Sequence, residues 1–344
     1  MQQRLKKYSR DPSSLAAMAS RRITDTSLSI IATIHDYKII PTSLLVRLVK
    51  GHEKNIQKHL QLLYHLRLVN RFAFMRGKNP GEFHYYLDNT EALQLLVNHG
   101  ADPEDLEFEE ARRNREKSYC DVNSPKHAEE MQGKLLFLKH EIMISRFHAM
   151  LELACGQSGG RVELTEFQQG PSLWNMVEVP KMICKDGRWQ QLDETEQLPH
   201  RPDAFFTLTV LGDQGVRTPL HFLYEADRHR TNANKYNKKL RAHFHFIVKQ
   251  KRHQEIYGID RVRAVLTETV DDEWADYLRQ AANHVVVSGP KPSPLFWFTT
   301  SRLFTDETAG AGNHKRPAYL VQPEIIFARI WATPVDDTVH SLIE

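Results

Sequence analysis

Two alternating segments on either side of a short loop place the tightest limit on how this chain folds. Apolar and polar residues alternate in DAFFTLTV (203–210) and again in HFLYEAD (221–227), as in half-buried β-strands. The intervening LGDQGVRTP contains two glycines and a proline, which favour a turn. A hairpin folded about residues 214–215 pairs Asp203 with residues 225–227, so counting alone fixes its register.

This register gathers three carboxylates at one end of the hairpin. Glu225 and Asp227 are two residues apart and therefore share one face of their strand. Asp203 lies beside them on the paired strand of the hairpin. Carboxylates this close repel one another and raise each other's pKa values, and a divalent cation relieves that repulsion. Hard oxygen ligands suit Mg²⁺ or Mn²⁺. We predict Asp203 and Glu225 as metal ligands and Asp227 as a further acid of the same site.

A basic helix is predicted directly after these acids. Residues 228–252 include nine Lys or Arg and no Asp or Glu. Asn232 is a good N-cap, and Lys235 and Lys239 lie one turn apart. A lysine beside a metal-bound phosphate can stabilise developing negative charge, so Lys239 is the candidate catalytic lysine. Lys235 and Lys238 are candidates for DNA contact. A plain strand followed by a solvated helix, with its acids paired to neighbouring arginines, remains the alternative.

The N-terminal region predicts three short helices followed by a β-hairpin. The helices are SLSIIATIHDY, a segment that starts at Pro41–Thr42 and stops at Gly51, and EKNIQKHLQLLYHLRLV. The strands are LVNRFAFMRG and EFHYYLD, joined by a turn at 78–81. This is the order of a winged helix-turn-helix, in which the third helix enters the major groove and the wing approaches the phosphates.

Charge favours a polyanion as the partner of this region. Residues 1–90 carry 15 Lys or Arg against 6 Asp or Glu. A winged helix used for protein contacts is the alternative. The candidate DNA contacts are Lys54, Asn55, Gln57, Lys58 and Gln61 on the third helix, with Arg71, Arg76 and Lys78 in the wing.

The chain is expected to divide into a basic arm (1–24), a winged helix (25–95), an acidic linker (96–125) and a second domain (126–344). The linker prediction rests on residues 91–130, which carry 5 Lys or Arg against 11 Asp or Glu. The second domain opens with a long apolar helix at 131–155, which could also serve a homodimer. Its later elements are strands in RVRAVLTET, HVVVSG and LFWFTT and a helix in DDEWADYLRQAANH. The fold class is therefore a two-domain α/β (α+β) protein with a mixed sheet.

Composition and motifs exclude several classes of function. The chain is 41% hydrophobic and 26% charged, as in soluble globular proteins, and no apolar run reaches the roughly 20 residues that span a bilayer. Three scattered cysteines argue against a disulfide framework and for a reducing compartment such as the cytoplasm. No glycine-rich phosphate loop occurs. His243-x-His245 would point its rings to different sides of a helix, which disfavours zinc.

The acids and their spacing resemble the PD-(D/E)xK (restriction-endonuclease-like) nuclease core. Pro202-Asp203 and Glu225 match that pattern, but Asp227 stands where the pattern has lysine. Lys239, on the following helix, is the best substitute. In this superfamily the first core helix often adds an acid, and Glu141 would fill that place.

The whole layout resembles the replication-relaxation family of bacterial plasmids and mobile elements over roughly residues 25–270. The matching positions are Leu138, His140 and Glu141, then Arg201, Pro202 and Asp203, then Glu225, Asp227 and Arg228, then Lys239 and Leu240. The resemblance implies that the protein binds double-stranded DNA and acts in the replication or maintenance of a mobile element, or in its control. It also implies a location in the bacterial cytoplasm, in association with the nucleoid or a plasmid. Two functions stay open: a Mg²⁺-dependent endodeoxyribonuclease, or a non-catalytic initiator or regulator whose nuclease fold serves binding or dimerisation.

Overall fold

The protein is a mixed α/β chain that divides into two compact units. In the computed structural model, residues 23–76, 79–87, 90–106, 128–212, 214–228, 232–303, 322–336 and 338–344 are described. Residues up to Ala149 belong to the first unit, and residues from Met150 onward that the structure describes belong to the second. Residues 1–22 of the expected basic arm and residues 107–125 of the acidic linker lie outside the described residues.

The first unit contains the three helices and the hairpin that the sequence predicts, in that order. It also has two short elements that were not predicted, a strand between the first two helices and a helix after the hairpin. Strand β1 precedes helix α2 and pairs with β3, which in turn pairs with β2. The hairpin pairs Arg76 with Asn79 and Met75 with Pro80, so Asn79 and Pro80 belong to β3 and not to the turn that was expected at 78–81. Its elements are α1 (Asp25–Tyr37), β1 (Ile39–Pro41), α2 (Thr42–Leu48), α3 (Glu53–His65), β2 (Asn70–Arg76), β3 (Asn79–Tyr86) and α4 (Thr90–Asn98).

Helix α5 (Ala128–Gln157) confirms the long helix predicted at 131–155. Its first part packs with the N-terminal elements, where Leu138 and Ile142 form an apolar cluster with Ile39, Phe72 and Tyr86. The division between the two compact units falls inside this helix, after Ala149. The reason is physical: a helix that is apolar on most sides can bury residues against more than one set of partners.

A seven-stranded mixed sheet forms the frame of the second unit, in the order β12-β11-β10-β9-β8-β7-β4. Strands β4, β7 and β8 form an antiparallel meander, whereas β8, β9 and β10 run parallel to one another. These strands are β4 (Val162–Gln169), β7 (Ala204–Leu211), β8 (Arg217–Ala226), β9 (Val262–Thr269), β10 (Phe296–Thr300), β11 (Trp331–Ala332) and β12 (Val339–His340).

Helices cross between the parallel strands and cover one face of this sheet. Helix α6 (Ala233–Phe244) begins at the predicted N-cap Asn232, continues as a π-helix (His245–Lys249) and connects β8 to β9. With α8 it buries an apolar cluster against the sheet that includes Leu240 and Leu223. The remaining helices are α7 (Arg252–Ile256), α8 (Asp272–Ala282) and α9 (Val285–Ser288).

Two features of this unit differ from expectation. HVVVSG was predicted as a strand, but it forms α9, with His284 accepting from the Val286 amide as N-cap and Gly289 ending the helix at φ 91°. A two-stranded hairpin, β5 (Asn175–Lys185) with β6 (Arg188–His200), was not predicted and extends between β4 and β7 in the chain. Among the described residues, no helix has the length and apolar character needed to cross a membrane.

Candidate active site

The hairpin register that the sequence predicts is confirmed. Ala204 lies opposite Tyr224 and Leu211 opposite Arg217, so the next pair outward is Asp203 with Glu225. The Asp203 amide donates to the Tyr224 carbonyl at 3.0 Å, and Oδ2 of Asp203 accepts from the Ala226 amide at 2.8 Å. The Asp203 carboxylate is thereby fixed at the end of β8, beside Glu225.

Glu225 is the centre of the site. Its side chain is 1% exposed, Oε1 lies 2.6 Å from Nε2 of His243, and Oε2 forms an ion pair with the ammonium of Lys239. Burial raises the pKa of Glu225, the positive charge of Lys239 opposes that shift, and the neighbouring Asp203 carboxylate adds to it. This carboxylate is therefore kept away from water and held on both oxygens by helix α6.

Lys239 reaches the acids from the helix, as predicted. Burial lowers the pKa of its ammonium, but the carboxylates of Glu225 and Asp203 more than compensate, and the pKa rises above its usual range. The side chain remains 33% exposed, so the charged group also meets solvent at the edge of the site. A permanent positive charge is consequently available beside two carboxylates.

Asp227 joins the site by a different contact. Its side chain is buried, Oδ1 accepts from the Trp274 indole nitrogen at 2.6 Å, and its amide donates to the Glu268 carbonyl at 2.9 Å. The first contact ties the acid to α8 and the second ties its backbone to β9. Asp227 therefore fixes the end of β8, in addition to lying two residues from Glu225.

The two carboxylates suit a small hard cation. Mg²⁺ usually takes one or two carboxylates and retains several waters. Asp203 and Glu225 lie side by side at the end of the β7–β8 hairpin, where the Asp203 carboxylate adds to the rise in the pKa of Glu225. Three or more His, Cys, Asp or Glu grouped around one point are not found among the residues that the structure describes. Within the described part of the chain, these two carboxylates are the donors that we assign to Mg²⁺ or Mn²⁺.

Glu141 is not shown to join these groups. It lies on the part of α5 that belongs to the first unit, with its carboxylate 3.6 Å from Nδ1 of His140. Its assignment as a catalytic acid stays a prediction. The other basic residues predicted on α6, Lys235 and Lys238, are exposed and point away from the apolar cluster that Tyr236 and Leu240 enter.

The DNA contacts predicted on α3 fall into two groups. Lys54, Asn55 and Lys58 are exposed on α3, whereas Gln57 and Gln61 are half-buried. Gln57 donates to the Glu53 carboxylate at 2.8 Å on the same helix. The exposed groups are therefore the ones that a ligand can reach directly.

Arg71 of the wing is held by aromatic rings. Its guanidinium lies 4.0 Å from the ring centre of Tyr64 and 4.1 Å from that of Phe83, and it donates to the Tyr85 hydroxyl at 3.4 Å. These contacts link β2 to α3 and β3, so Arg71 stabilises the hairpin as well as adding positive charge. The side chain of Arg76 and the whole of Lys78 lie outside the described residues.

Sequence reasoning missed His243. It lies four residues after Lys239, and residues at this spacing share one face of a helix, so the pair could have been predicted to meet the same acid. Trp274 had no comparable signal, because only the tertiary fold brings α8 to Asp227. A search against known protein families, characterised proteins and solved structures found no match to this chain.

Proposed function

We propose that this protein binds double-stranded DNA and that its second unit is a PD-(D/E)xK-like domain that hydrolyses phosphodiester bonds with Mg²⁺ or Mn²⁺. One observation carries the proposal: Asp203, Glu225 and Lys239 meet at one end of the β7–β8 hairpin. The elements follow in the order helix α5, antiparallel strands β4, β7 and β8, crossover helix α6 and parallel strand β9, with the β5–β6 hairpin inserted between β4 and β7. That order supports the nuclease-like assignment, and the layout of the first unit supports a winged helix.

The chain's own residues have distinct parts in such a reaction. Asp203 and Glu225 would hold the cation, which when bound polarises the phosphodiester and lowers the pKa of water. Lys239 places a permanent positive charge beside the two acids, where it can neutralise a phosphate oxygen as negative charge develops. Asp227 and Trp274 keep the end of β8 in position.

DNA binding in the first unit rests on exposed charge. Lys54 and Lys58 lie one turn apart on α3, and the hairpin β2–β3 follows that helix as a wing does. We propose a role in the replication, maintenance or control of a plasmid or mobile element, in line with the family resemblance. Contacts from Lys235 and Lys238 to the same DNA are part of this proposal.

Cleavage is tested with supercoiled plasmid and the full chain in Mg²⁺. We expect wild type to nick or linearise the plasmid, and Asp203→Asn and Glu225→Gln each to abolish it. Asp193→Asn is the matched control, since Asp193 is an exposed acid of β6. Equal cleavage by wild type and both site variants would show that the activity arises elsewhere.

Binding is tested by titrating labelled duplex DNA at several salt concentrations. Removing two phosphate contacts should flatten the dependence of log affinity on log salt by about 1.8. We expect this for Lys54→Ala combined with Lys58→Ala, and no change for the control pair Lys185→Ala with Lys291→Ala on exposed positions of the second unit. An unchanged slope in the α3 variant would place the DNA contacts elsewhere.

One observation favours a non-catalytic role as the second candidate. Both oxygens of Glu225 already have partners, His243 and Lys239, and the side chain is 1% exposed. A carboxylate neutralised in this way can serve as a structural centre for a DNA-binding or dimerising domain. DNA binding by wild type with no cleavage in Mg²⁺ or Mn²⁺ would support this candidate over the nuclease.

A further inference from the structure

His243 contacts the same carboxylate as Lys239, from the next turn of the same helix. Lys239 pairs with Oε2 of Glu225, and His243 Nε2 lies 2.6 Å from Oε1. The His243 ring is 0% exposed. Helix α6 therefore holds one buried acid with two different side chains, one charged and partly exposed, the other fully enclosed.

The chemistry of the contact fixes the state of the imidazole. An ionised carboxylate only accepts hydrogen bonds, so Nε2 of His243 must carry the hydrogen and donate it. Nδ1 of His243 is buried and has no hydrogen-bond partner among the described residues.

Two neighbouring rings set the orientation of His243. His200 meets it edge to face, with ring centres 4.7 Å apart and planes at 75°. His200 in turn stacks on Phe246 of the π-helix, with ring centres 3.8 Å apart. With His200 packed against it, the His243 ring directs its Nε2 edge toward Glu225. His200 directly precedes the Arg201–Asp203 segment, which carries the other acid.

We propose that His243 is a positioning residue for Glu225: it holds Oε1, so that the edge bearing Oε2 is presented to Lys239, Asp203 and a bound cation. The proposal rests on the metal site proposed above. The terminal torsion of a glutamate is broad and roughly two-fold, so a carboxylate held on one oxygen alone can turn. A donor on Oε1 removes that freedom and keeps Oε2, the oxygen that pairs with Lys239, on the side where the cation would bind. Outer-shell donors of this kind orient metal ligands in general.

The test uses two amide variants that differ in reach. In His243→Gln the side-chain nitrogen falls near the position of Nε2 and can still donate to Oε1. In His243→Asn the nitrogen falls near the position of Nδ1 and cannot reach. The same two substitutions at His253 are the control, because His253 is also buried but its Nε2 lies 3.2 Å from a main-chain carbonyl, that of Asp260.

The readouts are the affinity of each full-length variant for Mn²⁺ alone, measured by calorimetry, and its thermal unfolding without metal. We expect His243→Asn to weaken Mn²⁺ binding about 10- to 100-fold and His243→Gln to restore most of it. The His253 variants should bind Mn²⁺ as wild type does, even where they unfold at lower temperature.

The failures of the two proposals can be told apart. If wild type binds Mn²⁺ but His243→Asn binds it equally well, the positioning role is overturned while the metal site stands. Equal losses of Mn²⁺ affinity in His243→Gln and His243→Asn would also overturn it. The affinity would then depend on the imidazole ring and not on a hydrogen-bond donor to Oε1. If wild type binds no Mn²⁺, the proposed metal site itself fails.

Discussion

Replacing Lys239 with methionine tests whether the buried Glu225 depends on its partner for stability. The substitution keeps most of the side-chain volume and removes the charge. Glu225 is 1% exposed, so water cannot replace the lost ammonium group as a partner of the carboxylate. Removing one partner of a buried ion pair typically costs about 3–5 kcal/mol. We expect about 3 kcal/mol here, because Lys239 is itself 33% exposed and His243 still contacts Oε1.

A second substitution separates the buried charge from the loss of packing. Glu225→Gln in the Lys239→Met background leaves a neutral amide where the unpaired carboxylate stood. We expect the double variant to regain most of the loss and to be more stable than Lys239→Met alone, since an uncharged group carries a far smaller desolvation cost. The control is Lys181→Met, which breaks the exposed pair with Glu194 and should leave stability near wild type.

The assay is urea unfolding followed by tryptophan fluorescence. All tryptophans of the chain fall in the second unit, so this signal follows the unit that holds the site; they are Trp174, Trp189, Trp274, Trp297 and Trp331. Wild-type stability for Lys239→Met, or a double variant no more stable than the single one, would refute the view of Glu225 as a buried charge that needs its lysine.

Three further predictions concern other contacts. Glu82 is buried and accepts from the Ser43 amide at the start of α2, so Glu82→Ala should cost about 1–2 kcal/mol in thermal unfolding of the full chain. Burial lowers the pKa of His84 from 6.5 to about 4, so the unfolded chain binds the proton more readily. Stability should then fall by up to about 3 kcal/mol as pH drops from about 6.5 to 4, and His84→Leu should show a smaller fall across a pH series of melting curves. Trp274→Phe removes the donor to Asp227 and should cost about 1–3 kcal/mol in urea unfolding, read by circular dichroism; an unchanged midpoint would contradict it.

The parts of the fold that were predictable are those that local rules determine. The β7–β8 register follows from alternation and loop length, and it places Asp203 beside Glu225 as expected. The start of α6 follows from Asn232, whose side chain accepts from the Lys235 amide at 2.9 Å. In each case a short stretch of sequence contains both the signal and the structure that it determines.

The sequence of the β5–β6 hairpin contains a turn signal from which the hairpin could have been predicted. Its turn is Asp186-Gly187, with both residues at positive φ (51° and 74°), and Lys185 pairs with Arg188 on either side. Asp-Gly is a strong signal for a two-residue hairpin. The flanking strands are mostly exposed, so their apolar residues give little alternation to support the turn.

HVVVSG shows the opposite case, in which a local preference misleads. Three successive valines favour a strand, yet Val285–Ser288 form a short helix in which Val287 is buried. The His284 cap and the left-handed Gly289 fix its ends. The side-chain contacts that decide between helix and strand come from α6 and the apolar cluster, which a window of six residues does not contain.

Lys239 supplies from helix α6 the positive charge that the ExK pattern places on the strand. The site needs a positive charge near Oε2 of Glu225, and a strand lysine at position 227 is only one way to supply it. Helix α6 packs on the sheet face that Glu225 shares with Leu223, so a lysine from that helix approaches the same oxygen from above. Position 227 is then free to hold an acid that binds Trp274 and secures the strand end. The departure from the ExK pattern therefore does not by itself argue against catalysis.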